Sequence, residues 1–508
     1  MPPMDDTATL AEQDACYRAL QARDARFDGR FFTGVTSTGI YCRPVCSVRL
    51  PKRENCRFFA HAARAESAGF RPCLRCRPEL APGTPHWSIQ DASGILAHQA
   101  ARLLADPDAW PGSDAGPSVQ ALAARLGVSD RHLRRIFEAT LGVSPLQYLQ
   151  TRRLLTAKQL LADTALPVAQ VALCSGFSSL RRFNDAFMAH YHLSPTQLRR
   201  AGAPAQGGTL VRLGYRPPYD IAALGDFLLR RRVHAVEALT DDGPAWRFAR
   251  TLRLEVAGLA HTGWIEARFD PDQAQLLLQV SDGLRGALPT VIRRVRQAFD
   301  LDADPAAINA VLHAHFPDGD GLRVPGCFDG FELAVRAVLG QQITVAAART
   351  LAQRLVDAFG EPVATTHPEL SRLFPLPAVL AQASADALGS LGIVRQRQRA
   401  IQGLAQAVAE GRLQLRASAD VPATLEVLKS LPGIGDWTAQ YIAMRALRWP
   451  DAFPAGDVAL HKALGVQGQP QAAKAAEEQS AAWRPWRSYA VLRAWGLLPP
   501  PPTRRPSP

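Results

Sequence analysis

The chain has 508 residues, of which 47% are hydrophobic and 20% are charged, and its formal net charge is +12. At roughly 150 residues per domain, this length predicts about three to four domains with packed cores, and the composition excludes a largely disordered chain. The excess of Lys and Arg is shared by the front, middle and rear of the chain, which favours a polyanion as the partner of each part, although a generally basic proteome would give the same charge. No apolar run reaches the ~18 residues of a membrane span, so we expect a cytoplasmic protein without a membrane partner.

Four of the eight cysteines are clustered near the front of the chain. Three residues separate Cys42 from Cys46, two separate Cys73 from Cys76, and 26 lie between the two pairs. This spacing is typical of four thiolates that close a tetrahedral shell around zinc, and the clustering indicates a reducing compartment. A purely structural zinc would require the same spacing. We expect Cys56, which lies between the pairs, to be a small buried side chain.

The segments around these cysteines are TGIYCRPVC at 38–46 and AGFRPCLRC at 68–76. Over residues 12–80 they resemble the N-terminal methyl-acceptor domain of the bacterial adaptive-response regulator Ada. The resemblance implies one zinc ion and an irreversible transfer of a methyl group from a DNA methylphosphotriester to Cys42, while the other three cysteines only hold the metal. Four thiolates around one divalent ion carry a net charge of about −2, which keeps a bound sulfur nucleophilic. Methylation would remove one negative charge, so we expect DNA affinity to rise.

From about residue 86 to 202 the pattern is helical and contains an internal repeat. The repeated features are an Ala-x3-Gly motif and a later Ser-Pro pair, 49 and 50 residues apart: Ala123 to Gly127 with Ser144-Pro145, and Ala172 to Gly176 with Ser194-Pro195. A short helix, a glycine with positive φ and a serine N-cap before the next helix are typical of a helix-turn-helix. The sequence therefore predicts two such units in tandem.

The second helix of each unit is expected to present a basic face to DNA. The residues predicted to point outward are Arg131, His132, Arg134 and Arg135 in the first unit and Ser179, Arg181 and Arg182 in the second. Those predicted to point inward are Leu133, Ile136 and Phe137, and then Leu180, Phe183 and Phe187. The tandem resembles the DNA-binding domain of AraC-type activators over residues 88–200, which implies transcription activation with RNA polymerase as a partner. For any single arginine, a solvated surface position is the alternative.

The rear half changes character near residue 209. Short β-rich runs at 251–256 and 275–280, beside a helix-like stretch at 219–232, predict an α+β unit up to about 290. From there to about 495 the helical period returns and predicts an all-α domain. Within it, Gly433 and Gly435 of the LPGIGDWTA motif at 431–439 predict a helix-hairpin-helix that binds a DNA phosphate through backbone N–H groups. Such hairpins also occur as noncatalytic DNA-binding elements.

Twenty-two residues past Gly435, Asp457 precedes a predicted helix and has an N-cap as its simplest interpretation. Trp437 and Tyr441 lie four residues apart, on one helical face, where core packing is the simplest interpretation. Together with 331–342 and 483–490, however, these motifs resemble 3-methyladenine DNA glycosylase II (AlkA) over residues 208–498. The resemblance implies that the β-rich part is TATA-binding-protein-like, that Asp457 is the essential carboxylate, and that Trp437, Tyr441 and Trp495 form the pocket for a flipped base.

Three further expectations come from this resemblance. Gln342 stands where the family has an apolar residue that fills the gap left by the flipped base. Trp437 stands where bifunctional relatives have a lysine nucleophile, so we expect a monofunctional glycosylase. The rear half contains only Cys327, which rules out a four-cysteine iron–sulfur site there, and we expect no metal in it.

The sequence thus predicts a multidomain α+β protein with a four-cysteine zinc domain at 1–80, an all-α tandem helix-turn-helix domain at 86–202, an α+β domain at 208–290, an all-α helix-hairpin-helix glycosylase domain at 291–498 and a disordered tail at 499–508. The predicted function is alkylation repair and response on double-stranded DNA, near the bacterial nucleoid. The P-C-H-R motif of methylguanine methyltransferases is missing, so reversal at guanine O6 is not expected. The alternatives are a regulator whose rear half binds DNA without catalysis, and a glycosylase whose front half only tethers it.

Overall fold

The computed structural model describes residues 10–83, 92–106, 110, 117–199, 209–241, 246–256 and 258–498. Residues 84–91, residues 200–208 and the predicted tail at 499–508 lie outside these ranges. Within the ranges, none of the helices combines the length and hydropathy of a membrane-spanning segment.

The front unit is a small four-stranded sheet with a helix before it and one within it. Its strands lie in the order β3-β1-β2-β4, and β2 pairs antiparallel with β1 and parallel with β4. Cys42 ends β2 opposite Thr33, while Cys73 directly follows β4, so the sheet brings the two cysteine pairs together. The elements are α1 (Leu10–Gln21), β1 (Phe32–Val35), β2 (Ile40–Cys42), β3 (Cys56–Phe59), α2 (Ala62–Ser67) and β4 (Arg71–Pro72).

The next unit is entirely helical among its described residues and contains the repeat. Ser129 and Ser179 cap the second helix of each copy, and Gly127 and Gly176 adopt φ values of 68° and 84°. Both Ser-Pro pairs form capping boxes with a glutamine three residues after the serine. The elements are α3 (Ala92–Leu104), α4 (Val119–Arg125), α5 (Asp130–Leu141), α6 (Pro145–Asp163), α7 (Val168–Cys174), α8 (Leu180–Tyr191) and α9 (Pro195–Leu198).

One predicted core residue of this unit is wrong. Leu180 is 44% exposed, whereas Phe183 and Phe187 on the same helix are fully buried. Leu180 is the first residue of α8, just after the Ser179 cap. Leu180 lies on the same side of the helix as Phe183 and Phe187, three and seven residues before them, but its place at the helix end leaves it exposed.

A five-stranded antiparallel sheet follows, in the order β5-β9-β8-β7-β6. The run predicted at 251–256 is the end of a longer strand, and the predicted helix is α10, whose Gly225 packs against the Trp246 indole. The elements are β5 (Thr209–Gly214), α10 (Ile221–Arg231), β6 (Glu237–Asp241), β7 (Trp246–Val256), β8 (Leu259–Asp270) and β9 (Gln275–Val280).

The rear unit is helical, and its helices from α12 onward share one continuous hydrophobic core, whereas the buried side chains of α11 pack into the core of the five-stranded sheet. The helices are α11 (Leu288–Ala298), α12 (Pro305–Leu312), α13 (Gly330–Leu339), α14 (Val345–Phe359), α15 (Pro377–Gln382), α16 (Ala385–Ser390), α17 (Arg395–Ala409), α18 (Val421–Ser430), α19 (Asp436–Arg445), α20 (Val458–Ala463), α21 (Ala472–Ser480) and α22 (Arg487–Gly496).

The units are packed together rather than strung along the chain. The second helix-turn-helix copy and the five-stranded sheet share one hydrophobic core. Arg216, which is fully buried, joins the front unit to the rear one, because its guanidinium donates to the carbonyl oxygens of Asp28, Pro82, Gly83, Asp302 and Ala303. A buried charged group is stable only when its donors are satisfied, so this joint fixes how the units meet.

Candidate functional site

The first candidate site is the cluster of Cys42, Cys46, Cys73 and Cys76. Their four sulfur atoms lie within 4.8 Å of one another. Four sulfurs bound to one zinc ion at ~2.3 Å would lie about 3.8 Å apart, so the donor set fits a tetrahedral thiolate site. The thiols hydrogen-bond to one another, which raises the pKa of Cys42 and lowers that of Cys73.

Two basic side chains fix the backbone of this cluster. The Arg43 amide donates to Cys76 Sγ at 3.3 Å, and its guanidinium donates to the Cys76 carbonyl at 2.9 Å and to Asp28 Oδ1 at 2.8 Å. Lys158 of α6 donates to the Cys73 carbonyl at 3.5 Å and pairs with buried Glu79. The cluster is therefore tied both to its own domain and to the helix-turn-helix unit.

Space for a reactant lies directly beside Cys42. A cavity of about 190 Å³ is lined by Cys42 and Cys46 and by the side chains of Leu20, Thr33 and Val35, among others. Cys56 lies outside the cluster and is 6% exposed, and its Sγ contacts the Lys52 carbonyl at 3.3 Å.

The helix-turn-helix units expose the basic side chains that the repeat predicts. Exposed positions are occupied by Arg131, Arg134, Arg135, Arg181 and Arg182. They lie on the first two turns of α5 and α8, the part of a recognition helix that enters the major groove.

The second candidate site lies at the helix-hairpin-helix. Gly433 has a φ of 77°, whereas Gly435 has a φ of −88° and is the N-cap of α19, so only the first glycine needs the left-handed conformation. Gln341 Nε2 holds this turn by donating to the Gly433 carbonyl and to Thr438 Oγ1, both at 2.9 Å. Its neighbour Gln342 is exposed between α13 and α14 with a φ of 55°. An exposed side chain at a strained backbone position is typical of a functional loop.

Asp457 is both the N-cap of α20 and the partner of two indole groups. Its Oδ1 accepts from the Leu460 amide at 2.7 Å and from Trp495 Nε1 at 3.0 Å. Its Oδ2 accepts from Trp437 Nε1 at 2.8 Å. Helices α19, α20 and α22 thus bring together a half-buried carboxylate and two tryptophans that are distant in sequence. The three N–H donors fix the orientation of this carboxylate.

The aromatic walls are arranged for stacking. The rings of Trp437 and Tyr441 are parallel within 7°, with centroids 5.4 Å apart. Tyr441 accepts a hydrogen bond from Arg445 at 2.6 Å. Burial raises the pKa of the Tyr441 hydroxyl, but the charges of Arg445 and Arg231 outweigh burial and lower it overall.

Three residues near this pocket were not predicted from the sequence. Arg445 lies one turn after Tyr441 on α19, while Phe227 and Arg231 come from α10, more than 200 residues earlier. The spacing of Tyr441 and Arg445 was a usable signal, since residues four apart share a helical face. The placement of α10 against the pocket follows from tertiary packing and had no local signal.

Four family models match the chain in order. They are the metal binding domain of Ada at residues 15–79, a helix-turn-helix domain at 122–201, the AlkA N-terminal domain at 210–329, and the HhH-GPD superfamily of base excision DNA repair proteins at 335–488.

Curated relatives match both the whole chain and its halves. The chain is 41% identical over 499 residues to a Mycobacterium tuberculosis (strain CDC 1551 / Oshkosh) protein named "Probable bifunctional transcriptional activator/DNA repair enzyme AlkA", with 96% of each chain covered. It is 35% identical to DNA-3-methyladenine glycosylase 2 of Escherichia coli (strain K12), covering 56% of this chain and 95% of the relative. The bifunctional transcriptional activator/DNA repair enzyme Ada of the same strain is 37% identical, covering 30% of this chain and 40% of the relative.

The fold and the two sites define a helix-hairpin-helix DNA repair protein fused to a thiolate metal-binding domain and a tandem helix-turn-helix. The near-complete match with the mycobacterial protein then places the chain in a family: it belongs to the bifunctional transcriptional activator/DNA repair enzymes of the AlkA type.

Proposed function

We propose that this protein excises alkylated bases of the 3-methyladenine type from double-stranded DNA by hydrolysing the N-glycosidic bond. The observation that carries the proposal is the Asp457 carboxylate, which both pocket tryptophans hold by hydrogen bonds of 2.8 Å and 3.0 Å. A carboxylate fixed in this way would face the place where positive charge develops on the sugar.

The residues divide the work of excision as follows. Gly433 and the start of α19 bind a phosphate, Gln342 enters the gap in the duplex, and the flipped base stacks on Trp437, Tyr441 and Trp495. An N3- or N7-alkylated purine is a cation, so the aromatic faces favour it and the base leaves without a strong general acid. Asp457 stabilises the sugar cation and takes a proton from the attacking water. No lysine nucleophile is needed, and the activity is monofunctional.

We further propose that Cys42 accepts the methyl group of a DNA methylphosphotriester. The supporting observation is the four-sulfur cluster beside a cavity of about 190 Å³. One zinc ion, held by Cys42, Cys46, Cys73 and Cys76, would keep the sulfurs as thiolates. Cys42 Sγ attacks the methyl carbon, the carbon–oxygen bond breaks, and its electron pair stays on the phosphate oxygen as a diester anion. The rear half needs no metal.

Methylation then changes transcription. It removes one negative charge from a surface that faces DNA phosphates, so the methylated protein binds its promoter more tightly through Arg131, Arg134, Arg135, Arg181 and Arg182. RNA polymerase is the partner of the bound activator. The alternative of a rear half without catalysis would leave this control intact and release no base.

Both chemistries are tested in one incubation of the purified protein with methylated duplex DNA. Chromatography of released bases should show 3-methyladenine, and peptide mass spectrometry should place one methyl group on Cys42. A methyl group on Cys46, or on none of the four cysteines, would contradict the sensor role. Methyl transfer without base release would favour the regulator that no longer cuts DNA.

A further inference from the structure

Two guanidinium groups border the aromatic pocket. Arg445, which is 8% exposed, donates through Nη1 to the Tyr441 hydroxyl at 2.6 Å. Its Nε and Nη2 donate to the carbonyl oxygens of Pro325 and Gly326 at 2.8 Å and 2.9 Å. All three nitrogens of Arg445 therefore have partners, and the side chain has one fixed position against Tyr441.

The second guanidinium comes from α10. The Cζ of Arg231 lies 3.8 Å from the centroid of the Phe227 ring, and the Cζ of Arg445 lies 4.8 Å from the same ring. Burial lowers the pKa of Arg231 to about 10, so the group is still charged at neutral pH. Among the described residues, neither Arg231 nor Arg445 forms a salt bridge with a carboxylate. Partly buried positive charge without a carboxylate is costly, and it lies beside a pocket proposed to take cationic bases.

The positive charge of Arg231 and Arg445 can assist cleavage of the glycosidic bond. When the bond from C1′ to the base nitrogen breaks, its electron pair moves to the base, whose charge becomes one unit more negative. That change is the same for a cationic base, which leaves neutral, and for a neutral base, which leaves as an anion and takes a proton from solvent. Fixed positive charge beside the base favours the transition state over the bound substrate in both cases.

We propose that Arg445, supported by Arg231, is a positioning residue for departure of the base. Through its hydrogen bond to the Tyr441 hydroxyl, Arg445 directs positive electrostatic potential to the leaving base. The proposal rests on the excision function proposed above. Tyr441 accepts from Arg445, and arginine cannot accept in return, so the phenolic proton points away from Arg445 and is available to an acceptor on the base. Asp457 acts on the sugar and the attacking water, while Arg445 and Tyr441 act on the base. No bond to Arg445 forms or breaks.

The test compares Arg445→Met with Arg445→Lys in the full-length protein. Single-turnover release is measured from duplexes that contain a cationic 7-methylguanine or a neutral hypoxanthine, and binding is measured by fluorescence anisotropy. We expect the methionine variant to release both bases about tenfold more slowly, without weaker binding, and the lysine variant to stay within about threefold of wild type.

Arg448→Met is the matched control. Arg448 donates to the Val324 carbonyl in the same loop, but it pairs with Asp300 and does not contact Tyr441. Its loss should lower stability and leave the release rate of the folded protein unchanged. If Arg445→Met does not fold, Arg231→Met is tested in its place, with a smaller decrease in the same direction.

The proposal is overturned if the lysine and methionine variants lose equal activity, if Arg445→Met weakens binding in parallel with release, or if release is unchanged. A wild-type protein that releases neither base would instead contradict the proposed function. The two failures are therefore distinguishable.

Discussion

The four-cysteine cluster and the Asp457 site differ in how their negative charge is balanced. The front site gathers four sulfur atoms within 4.8 Å, and such a cluster of negative charge requires a cation at its centre. The rear site holds a single carboxylate with three neutral N–H donors, from Trp437, Trp495 and the Leu460 amide. Under the proposed functions, a divalent cation offsets part of the front charge and one sulfur reacts once, whereas the rear carboxylate has no cation beside it and acts repeatedly.

The largest effect on base release is expected when an indole N–H group that donates to Asp457 is removed. Trp437→Phe keeps an aromatic ring but deletes the N–H group that donates to Asp457 Oδ2. We expect single-turnover release of 3-methyladenine to fall about 10- to 100-fold, because the carboxylate loses both orientation and a charge-assisted hydrogen bond. Trp483→Phe is the control, since Trp483 is buried in the same domain with no hydrogen bond to Asp457. Equal losses in the two variants would contradict the positioning role of Trp437.

The next prediction concerns the contribution of Arg216, which joins the front unit to the rear one, to the stability of the protein. Arg216→Met should lower the free energy of unfolding by about 2 to 4 kcal/mol, because five buried or partly buried carbonyl oxygens lose their donor. The measurement is denaturant unfolding followed by tryptophan fluorescence. Arg230→Met is the control, since Arg230 is half-exposed and its pair with Asp226 is an exposed one, and it should change stability by less than about 0.5 kcal/mol. An Arg216 variant as stable as the control would show that the joint does not hold the units together.

A pH-dependent contact links the front site to the second helix-turn-helix copy. His190 Nε2 on α8 lies 2.6 Å from Glu66 Oε2, and Glu66 also accepts from the Tyr41 hydroxyl beside Cys42. Burial lowers the pKa of His190, but its hydrogen bond to Glu66 outweighs burial and raises it above the ordinary value. A raised pKa means that the charged pair stabilises the fold at low pH and that this contribution is lost as pH rises through the folded-state pKa.

His190→Gln should therefore be less stable than wild type by about 1 kcal/mol below pH 6.5, with a difference that decreases as the pH rises. Thermal unfolding at a series of pH values measures this. His313→Gln is the control, because His313 is exposed and pairs with Asp320 in the rear helical unit. A stability difference that is independent of pH would indicate a packing role for His190 instead.

The smallest expected effect on stability is at Leu180, the residue of α8 that the sequence wrongly predicts to be buried. Leu180→Ser should change stability by less than about 0.5 kcal/mol, whereas Phe183→Ala, on the buried face, should cost about 3 to 5 kcal/mol. Denaturant unfolding of both variants measures the difference. A large loss for Leu180→Ser would restore the inward orientation that the sequence predicts.

The front site could be predicted in more detail than the rear one because its ligands are close in sequence. Cys42, Cys46, Cys73 and Cys76 follow the spacing of a zinc site, and a small sheet is enough to join the two pairs. The serine caps and the glycine turns of the repeat were equally local. Features of this kind can be predicted from the sequence because they depend on only a few neighbouring residues.

The rear site depends on contacts that no local pattern contains. Trp437, Asp457 and Trp495 come from three helices, and only the resemblance to a known family placed them together before the structure did. Phe227 and Arg231 lie on a helix of another unit, and the joint at Arg216 depends on carbonyl oxygens from three separate segments. Leu180 was misplaced because an apolar residue at a helix start was assumed to follow the core face.

The most direct test of two separate chemistries in one chain is a crossed experiment on a single duplex that carries both 3-methyladenine and a methylphosphotriester. Asp457→Asn should gain one methyl group on Cys42 and release no base, whereas Cys42→Ser should release the base at the wild-type rate and gain no methyl group. A single variant that loses both activities, or an Asp457→Asn protein that still releases the base, would contradict the account.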